Sequence, residues 1–147
     1  MIDKRYIGQA LPRFSAEVEK GRLRFFAKAI GQTDPVYFDE AAAHEAGYRA
    51  IPVPPTFLFC LEMEASNPGA MRDLLGIDIA KVLHGEQHFT YHAMAYAGDR
   101  LTFAQRIVDI YDKKNGALEF VVRETHVTNQ NNELVAELRG TTVVRNT

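Results

Sequence analysis

From residue 84 onward the chain consists almost entirely of strand-like segments, and this limits its possible folds more than any other feature. Residues 84–96, 100–112, 117–128 and 133–144 are rich in β-branched and aromatic side chains and are bounded by turn-forming residues. Asn115-Gly116 is a strong hairpin signal, because both central positions of a tight type I′ turn need positive φ. The segment 129–132 supplies a second turn and Ala97-Gly98-Asp99 a third. Taken in order, these segments predict an antiparallel meander of four long strands. Runs such as Phe120-Val121-Val122 put apolar side chains on both faces. One face then packs on something central, and the other on a partner or a second layer.

The preceding half is what such a sheet has to cover. Ser15 is placed to cap a helix with Glu17 and Glu19 in its first turn, where the helix dipole favours acids. Val18, Phe25 and Ala29 recur at helical spacing, and Gly31 supplies the left-handed residue that ends such a helix. Asp34-Pro35 opens the next element, with Asp as cap and Pro at the first helical position. Residues 39–46 read as helix and Gly47 stops them. Pro52, Pro54 and Pro55 forbid a helix just before Thr56. From Thr56 the run TFLFCLEMEAS is apolar nearly all round, with polar residues only at Glu62 and Glu64, which marks a buried helix. Asn67-Pro68-Gly69 closes it, and residues 71–75 add one short turn. A mainly helical half followed by strands is an α+β pattern, in which a curved antiparallel sheet wraps the buried helix.

Composition narrows the partners. A chain of 147 residues is most simply one domain, 1–147. The formal net charge of −2, with acids and bases interspersed, gives no reason to expect nucleic acid or a membrane surface. No apolar run approaches the roughly 20 residues that cross a bilayer. The segment MIDKRYIGQALP lacks the apolar core of a signal peptide, so a cytoplasmic location is expected. The single cysteine, Cys60, lies in PTFLFCLEM and reads as a small buried hydrophobe.

The stretch AIGQTDPVYFDEAAAHEAGYRAIPVPPTF resembles the hydratase motif and the start of the central helix in the MaoC-like family. LHGEQHFTYHAMAYAGDRLT resembles that family's first long strand, its turn and its second strand. The resemblance covers almost the whole chain. It is nearest to the N-terminal MaoC dehydratase subgroup, which includes non-catalytic subunits of heterodimeric (3R)-hydroxyacyl dehydratases. It implies the hot-dog fold, a sheet around a long central helix, with the motif in an overhanging segment before that helix.

The resemblance also implies addition of water to, or its removal from, an acyl thioester on coenzyme A or acyl carrier protein, with no cofactor. The family motif G-D-x-N-P-x-H supplies an Asp and a His that hold water and move protons. A backbone N–H at the central helix stabilises the thioester oxyanion. In this sequence Gly31 and Pro35 match, while the motif's Asp falls on Gln32, its Asn on Asp34 and its His on Tyr37. Gln has no proton to exchange, and Tyr, with an ordinary pKa of about 10, is a hydrogen-bond donor at neutral pH. Asp34 is the ionisable group left, and capping beside Pro35 accounts for it. Gly31, Pro55, Thr56, Phe57, His84 and Gly85 are the positions that the resemblance places against substrate.

His84, Glu86, His88 and His92 lie at even spacing, which on a regular strand puts them on one face where two or three could meet a metal. No Cys pair or further His-rich segment accompanies them, so the polar-face reading is preferred and no metal is assigned. The expectation is a ligand-binding subunit that works with a partner chain carrying intact Asp and His, as a homodimer or heterodimer. The alternatives are a homodimeric enzyme using Asp34 or His84 as base, a hot-dog thioesterase, and a non-catalytic acyl-CoA binder.

Overall fold

The structure is a computed structural model that describes residues 1–146. Five strands, β1 (Phe14–Glu17), β2 (Val82–Tyr91), β3 (Arg100–Lys113), β4 (Leu118–Thr128) and β5 (Leu134–Arg145), form one antiparallel sheet. Four helices accompany them: α1 (Lys20–Ala29), α2 (Glu40–Glu45), α3 (Phe57–Glu62) and α4 (Ala70–Leu75). No helix among the described residues is long and apolar enough to cross a membrane.

Two expectations for the first half change. Ser15 caps no helix. It lies in β1, its Oγ 2.8 Å from Thr102 Oγ1, and Phe14 pairs with Phe103 of β3. The buried Ala16 and Val18 follow the two-residue period of a strand, and the partner that fixes this strand lies more than eighty residues away in sequence. Helix α1 therefore starts only at Lys20 and has no side-chain cap. The buried helix is also short, six residues in α3, ending where Met63 turns out to solvent. Its apolar content is as expected. Phe57, Leu58 and Leu61 share one core cluster with Leu101 and Phe103 of β3, Val127 of β4 and Leu138 of β5.

The four long strands exist, but they are not a meander. The sheet order is β1-β3-β4-β5-β2, so β2 pairs with β5 and leaves one edge of the sheet open. Strand β2 ends at Tyr91, after which the chain crosses to the other side. His92 N–H donates to Val135 O (2.9 Å), Val53 N–H to Ala95 O (2.9 Å), and Gly98 N–H to Val18 O (2.8 Å). The Gly98 turn is present, with φ +89°, but it ends this crossover and does not close a hairpin between β2 and β3. Local turn chemistry could not distinguish the two. The Asn115-Gly116 hairpin does join adjacent strands, with Lys114, Asn115 and Gly116 all at positive φ.

Two bulges set which side chains face the helices. Ile107 and Ile110 both reach the core because Val108 is an extra residue between paired positions. In β2 the register slips between His84 and Glu86, leaving Gly85 as the extra residue. A Cβ on Gly85 would stand 2.8 Å from Val143 Cγ2 and 3.2 Å from Thr141 O, so the close approach requires glycine.

Candidate functional site

The overhang between α1 and α3 is held by its own backbone chemistry. Gly31 takes φ +73°, and Gln32 N–H returns to Ala27 O at 2.9 Å, closing α1. The Gln32 side chain then folds back, its Oε1 accepting from Thr33 N–H (2.8 Å) and Asp34 N–H (3.0 Å). Asp34 Oδ1 accepts from Val36 N–H at 3.1 Å and caps a single 3₁₀ turn, Pro35–Tyr37. Arg24 Nε donates to Phe38 O at 2.7 Å and ties this turn to α1. Burial pushes the Tyr37 hydroxyl above its ordinary pKa, with Tyr48 and Asp34 adding to the effect. At neutral pH it stays protonated and can only donate or accept a hydrogen bond.

The start of α3 is engaged as well. Thr56 stands at φ +75°, ψ −16°, a left-handed conformation that a β-branched residue rarely adopts. Its N–H donates to Tyr91 Oη at 3.0 Å, and Phe57 N–H to Pro54 O at 3.1 Å. Burial raises the Tyr91 pKa too, against the opposing hydrogen bond from Thr56, so this hydroxyl is neutral when it accepts that bond. Strain of this kind concentrates at functional positions. Relief of the left-handed penalty, about 1–2 kcal/mol, outweighs the roughly 0.5–1 kcal/mol entropic cost of glycine. Thr56→Gly is therefore expected to raise the thermal midpoint by a few degrees. A lower midpoint would mean that the Thr56 side chain itself holds the turn.

The Gly85 bulge overturns one expectation about side-chain placement. His84 pairs with Thr142 and Glu86 with Thr141, neighbours on opposite faces of β5, so His84 and Glu86 also face opposite ways. Glu86 lies 3.6 Å from His88, and His92 Nε2 reaches Glu137 Oε2 at 2.7 Å on the outer face. His84 instead faces the helices, its ring 5.8 Å from that of Phe59. The one-faced His-Glu-His-His row does not form. Among the described residues no group of three or more His, Cys, Asp or Glu is placed to hold a metal ion.

On the inner side, a cavity of ≈490 Å³ lies between α3, α4 and the sheet. Phe59, Met63, Met71, Ile79 and Val82 give it an apolar wall. Arg72, His84, Gln87 and Arg123 add polar groups. Of the residues singled out in the sequence, His84 lines this cavity. Gly31, Gln32, Asp34, Tyr37, Pro55, Thr56 and Phe57 belong to the overhang and the start of α3 and are not part of its lining, and Gly85 is the bulge beside His84. Cys60 is half-buried, and burial pushes its thiol up, as a packing residue requires.

Sequence reading passed over the polar group beneath this cavity. Glu62, on the buried face of α3, accepts from Gln105 Nε2 (3.1 Å), Arg123 Nη2 (3.1 Å) and Thr125 Oγ1. The available signal was one of two acids, with Glu64, in an otherwise apolar helical run.

Comparison with known proteins places this geometry among relatives. Residues 5–138 match the family model described as FAS1-like, dehydratase domain region. A UPF0336 protein of Saccharopolyspora erythraea is 35% identical over 147 residues, covering 99% of this chain and 93% of the relative. One from Thermobifida fusca is 36% identical, covering 98% and 94%. Among solved structures, the C-terminally truncated HadBC (3R-hydroxyacyl-ACP dehydratase) complex of Mycobacterium tuberculosis aligns at 28% identity and a TM-score of 0.78, over 94% of this chain and 96% of that one. The R-hydratase PhaJ1 of Pseudomonas aeruginosa, at 17% identity and a TM-score of 0.71 over 96% and 83%, shares the fold. The architecture is the α+β hot-dog fold.

Proposed function

Since the chain belongs to the FAS1-like dehydratase-region family, within the MaoC-like hot-dog hydratases, we propose that it is the acyl-thioester-binding subunit of an (R)-specific enoyl hydratase or 3-hydroxyacyl dehydratase, whose acid–base pair comes from a second MaoC-like chain. The observation that carries this reading is the state of the motif. Gln32 and Tyr37 stand at its two proton-handling positions. One has its oxygen bonded into its own turn and the other is a half-buried neutral phenol. Asp34 is committed to Val36 N–H. What the chain retains is scaffold: the closed turn at Gly31, the start of α3 at Thr56 and the cavity beyond it.

Two further features support a partner. Strand β2 is a ten-residue edge strand, and an open edge of that length is a liability unless another strand or chain covers it. The HadBC structure, similar over nearly the full length of both chains, is a complex. Apolar side chains along α3 and α4 fit the cavity to an acyl chain, with the thioester toward the overhang.

Hydration of a short trans-2-enoyl-CoA tests the proposal, measured with the purified chain and then with a candidate partner carrying Asp and His. General acid–base groups contribute about 10²–10⁴-fold, so the chain alone should turn over at least about 100-fold more slowly than the reconstituted pair. In that pair Asp34→Asn and His84→Ala should leave kcat within about twofold. Comparable turnover by the chain alone, or loss of kcat in either variant, would move the chemistry into this subunit and overturn the reading.

A further inference from the structure

The cavity under α4 carries more positive charge than its own walls balance. Its lining includes Arg72 and Arg123 and no Asp or Glu. Arg123 is offset by Glu62, which sits behind it, yet Arg123 Nε is buried and has no hydrogen-bond partner. Arg72 is half-buried and has no ion pair or side-chain hydrogen bond among the described residues. The adjacent Asp73 accepts instead from Asn67 Nδ2 at 2.9 Å. The Arg72 guanidinium lies across Gly69, where a Cβ would stand 2.5 Å from Nη2, so the backbone there leaves room for it against the cavity wall.

Arg123 Nε is a buried donor without a partner, and the half-exposed Arg72 meets its acceptors in solvent, so a ligand that fills the cavity has to supply an acceptor in their place. A purely hydrocarbon ligand would bury them further and offer nothing in return. A planar carboxylate or a phosphate suits the fork of an arginine. We infer that this cavity selects acyl ligands carrying an anionic group, bound at Arg72 and Arg123, with the rest of the chain along Phe59, Met63 and Met71. The inference rests on the acyl-thioester reading and gives it a substrate class. The anion is a carboxylate at the far end of the acyl chain, because the carrier portion lies beyond the thioester, on the overhang side.

Calorimetric titration of the full chain with decanoyl-CoA, its ω-carboxyl analogue and coenzyme A alone distinguishes this carboxylate from the carrier phosphates, using wild type and Arg72→Gln. Arg72 has no partner to strand, so the variant should fold, and its melting curve checks this. A hydrogen-bonded charge pair of this kind corresponds to about a 10- to 100-fold change in affinity. If the acyl terminus is the anion, Arg72→Gln weakens the ω-carboxyl thioester by that factor and leaves decanoyl-CoA unchanged. If all three ligands weaken together, the arginines hold a phosphate of the carrier portion instead, which overturns the inference. Equal affinity of wild type and variant for every ligand overturns it and leaves the acyl-binding proposal standing. Absence of binding by any thioester to wild type overturns both.

Discussion

Glu62→Ala is expected to lower the stability of this chain by about 3–5 kcal/mol, the cost of breaking a buried ion pair from one side. For a domain of this size that corresponds to a fall of about 10 °C in the thermal midpoint. The Glu62 side chain is 1% exposed and Arg123 19%. Three donors converge on the carboxylate from two strands: Gln105 of β3, and Arg123 and Thr125 of β4. Removing the acceptor strands a guanidinium whose Nε is already without a partner. It also unties the last turn of α3 from the sheet, and with it the floor of the cavity. Most of the penalty is therefore the desolvated positive charge left behind, not the bond energy lost. The double variant Glu62→Leu with Arg123→Leu separates these contributions. It should recover much of the loss, since apolar residues of similar size often replace a buried pair at little net cost. A fall of less than about 1 kcal/mol in Glu62→Ala would show that the network carries little of the folding energy, and no recovery in the double variant would show that the lost bonds, not the stranded charge, make up the penalty.

What was legible in the sequence follows a physical divide. The overhang was readable because each of its turns is decided locally. Gly31 is where positive φ is needed, Asp34 caps the turn that follows it, and Gly47 ends α2 at φ +91°. The Asn115-Gly116 hairpin is local in the same sense. Features set by residues distant in sequence were not readable. Ser15 has the chemistry of a helix cap, and only pairing with residues 100–103 makes its segment a strand. Strand β2 has the composition of a meander strand, and nothing within it says that its neighbour is β5. Gly85, which the resemblance places against substrate, is a bulge that reversed the side of every residue before it and separated His84 from Glu86. The same divide runs through the candidate site. The replacement of the motif's acid and base by Gln32 and Tyr37 was visible at once, and the folding back of Gln32 adds a local reason for it. The polar group under the cavity was invisible because Glu62 and Arg123 are 61 residues apart.

Asp99 is the other polar anchor that only the folded chain reveals, and Asp99→Ala is expected to cost about 2–3 kcal/mol, an unmet buried hydrogen-bonding group together with lost charge-assisted bonds. Its side chain is 1% exposed, and it accepts from Arg49 Nη2 at 2.6 and 2.8 Å, Tyr96 N–H at 2.9 Å and Gln130 Nε2 at 3.0 Å. Arg49 is 54% exposed and also lies 4.3 Å over the Tyr96 ring, so losing the carboxylate does not strand it. The ion pair is accordingly discounted for solvent screening, and the larger share falls to the Tyr96 and Gln130 bonds. Asp99→Asn keeps an acceptor for Tyr96 N–H and should cost about 1 kcal/mol, within the usual worth of one hydrogen bond. The location matters more than the sum. Asp99 joins the segment after α2, the crossover from β2 and the β4–β5 turn, and that crossover bridges Pro52 to Tyr96 just before the chain enters α3. Loosening it should therefore show as faster amide exchange at Val53 and Ala97, whose N–H groups bond Ala95 O and Ile51 O, ahead of any change in β3 or β4. If Asp99→Ala and Asp99→Asn were equally destabilising, the charge would carry the effect. If exchange rose evenly through the sheet, Asp99 would be a general stabiliser with no special hold on the approach to α3.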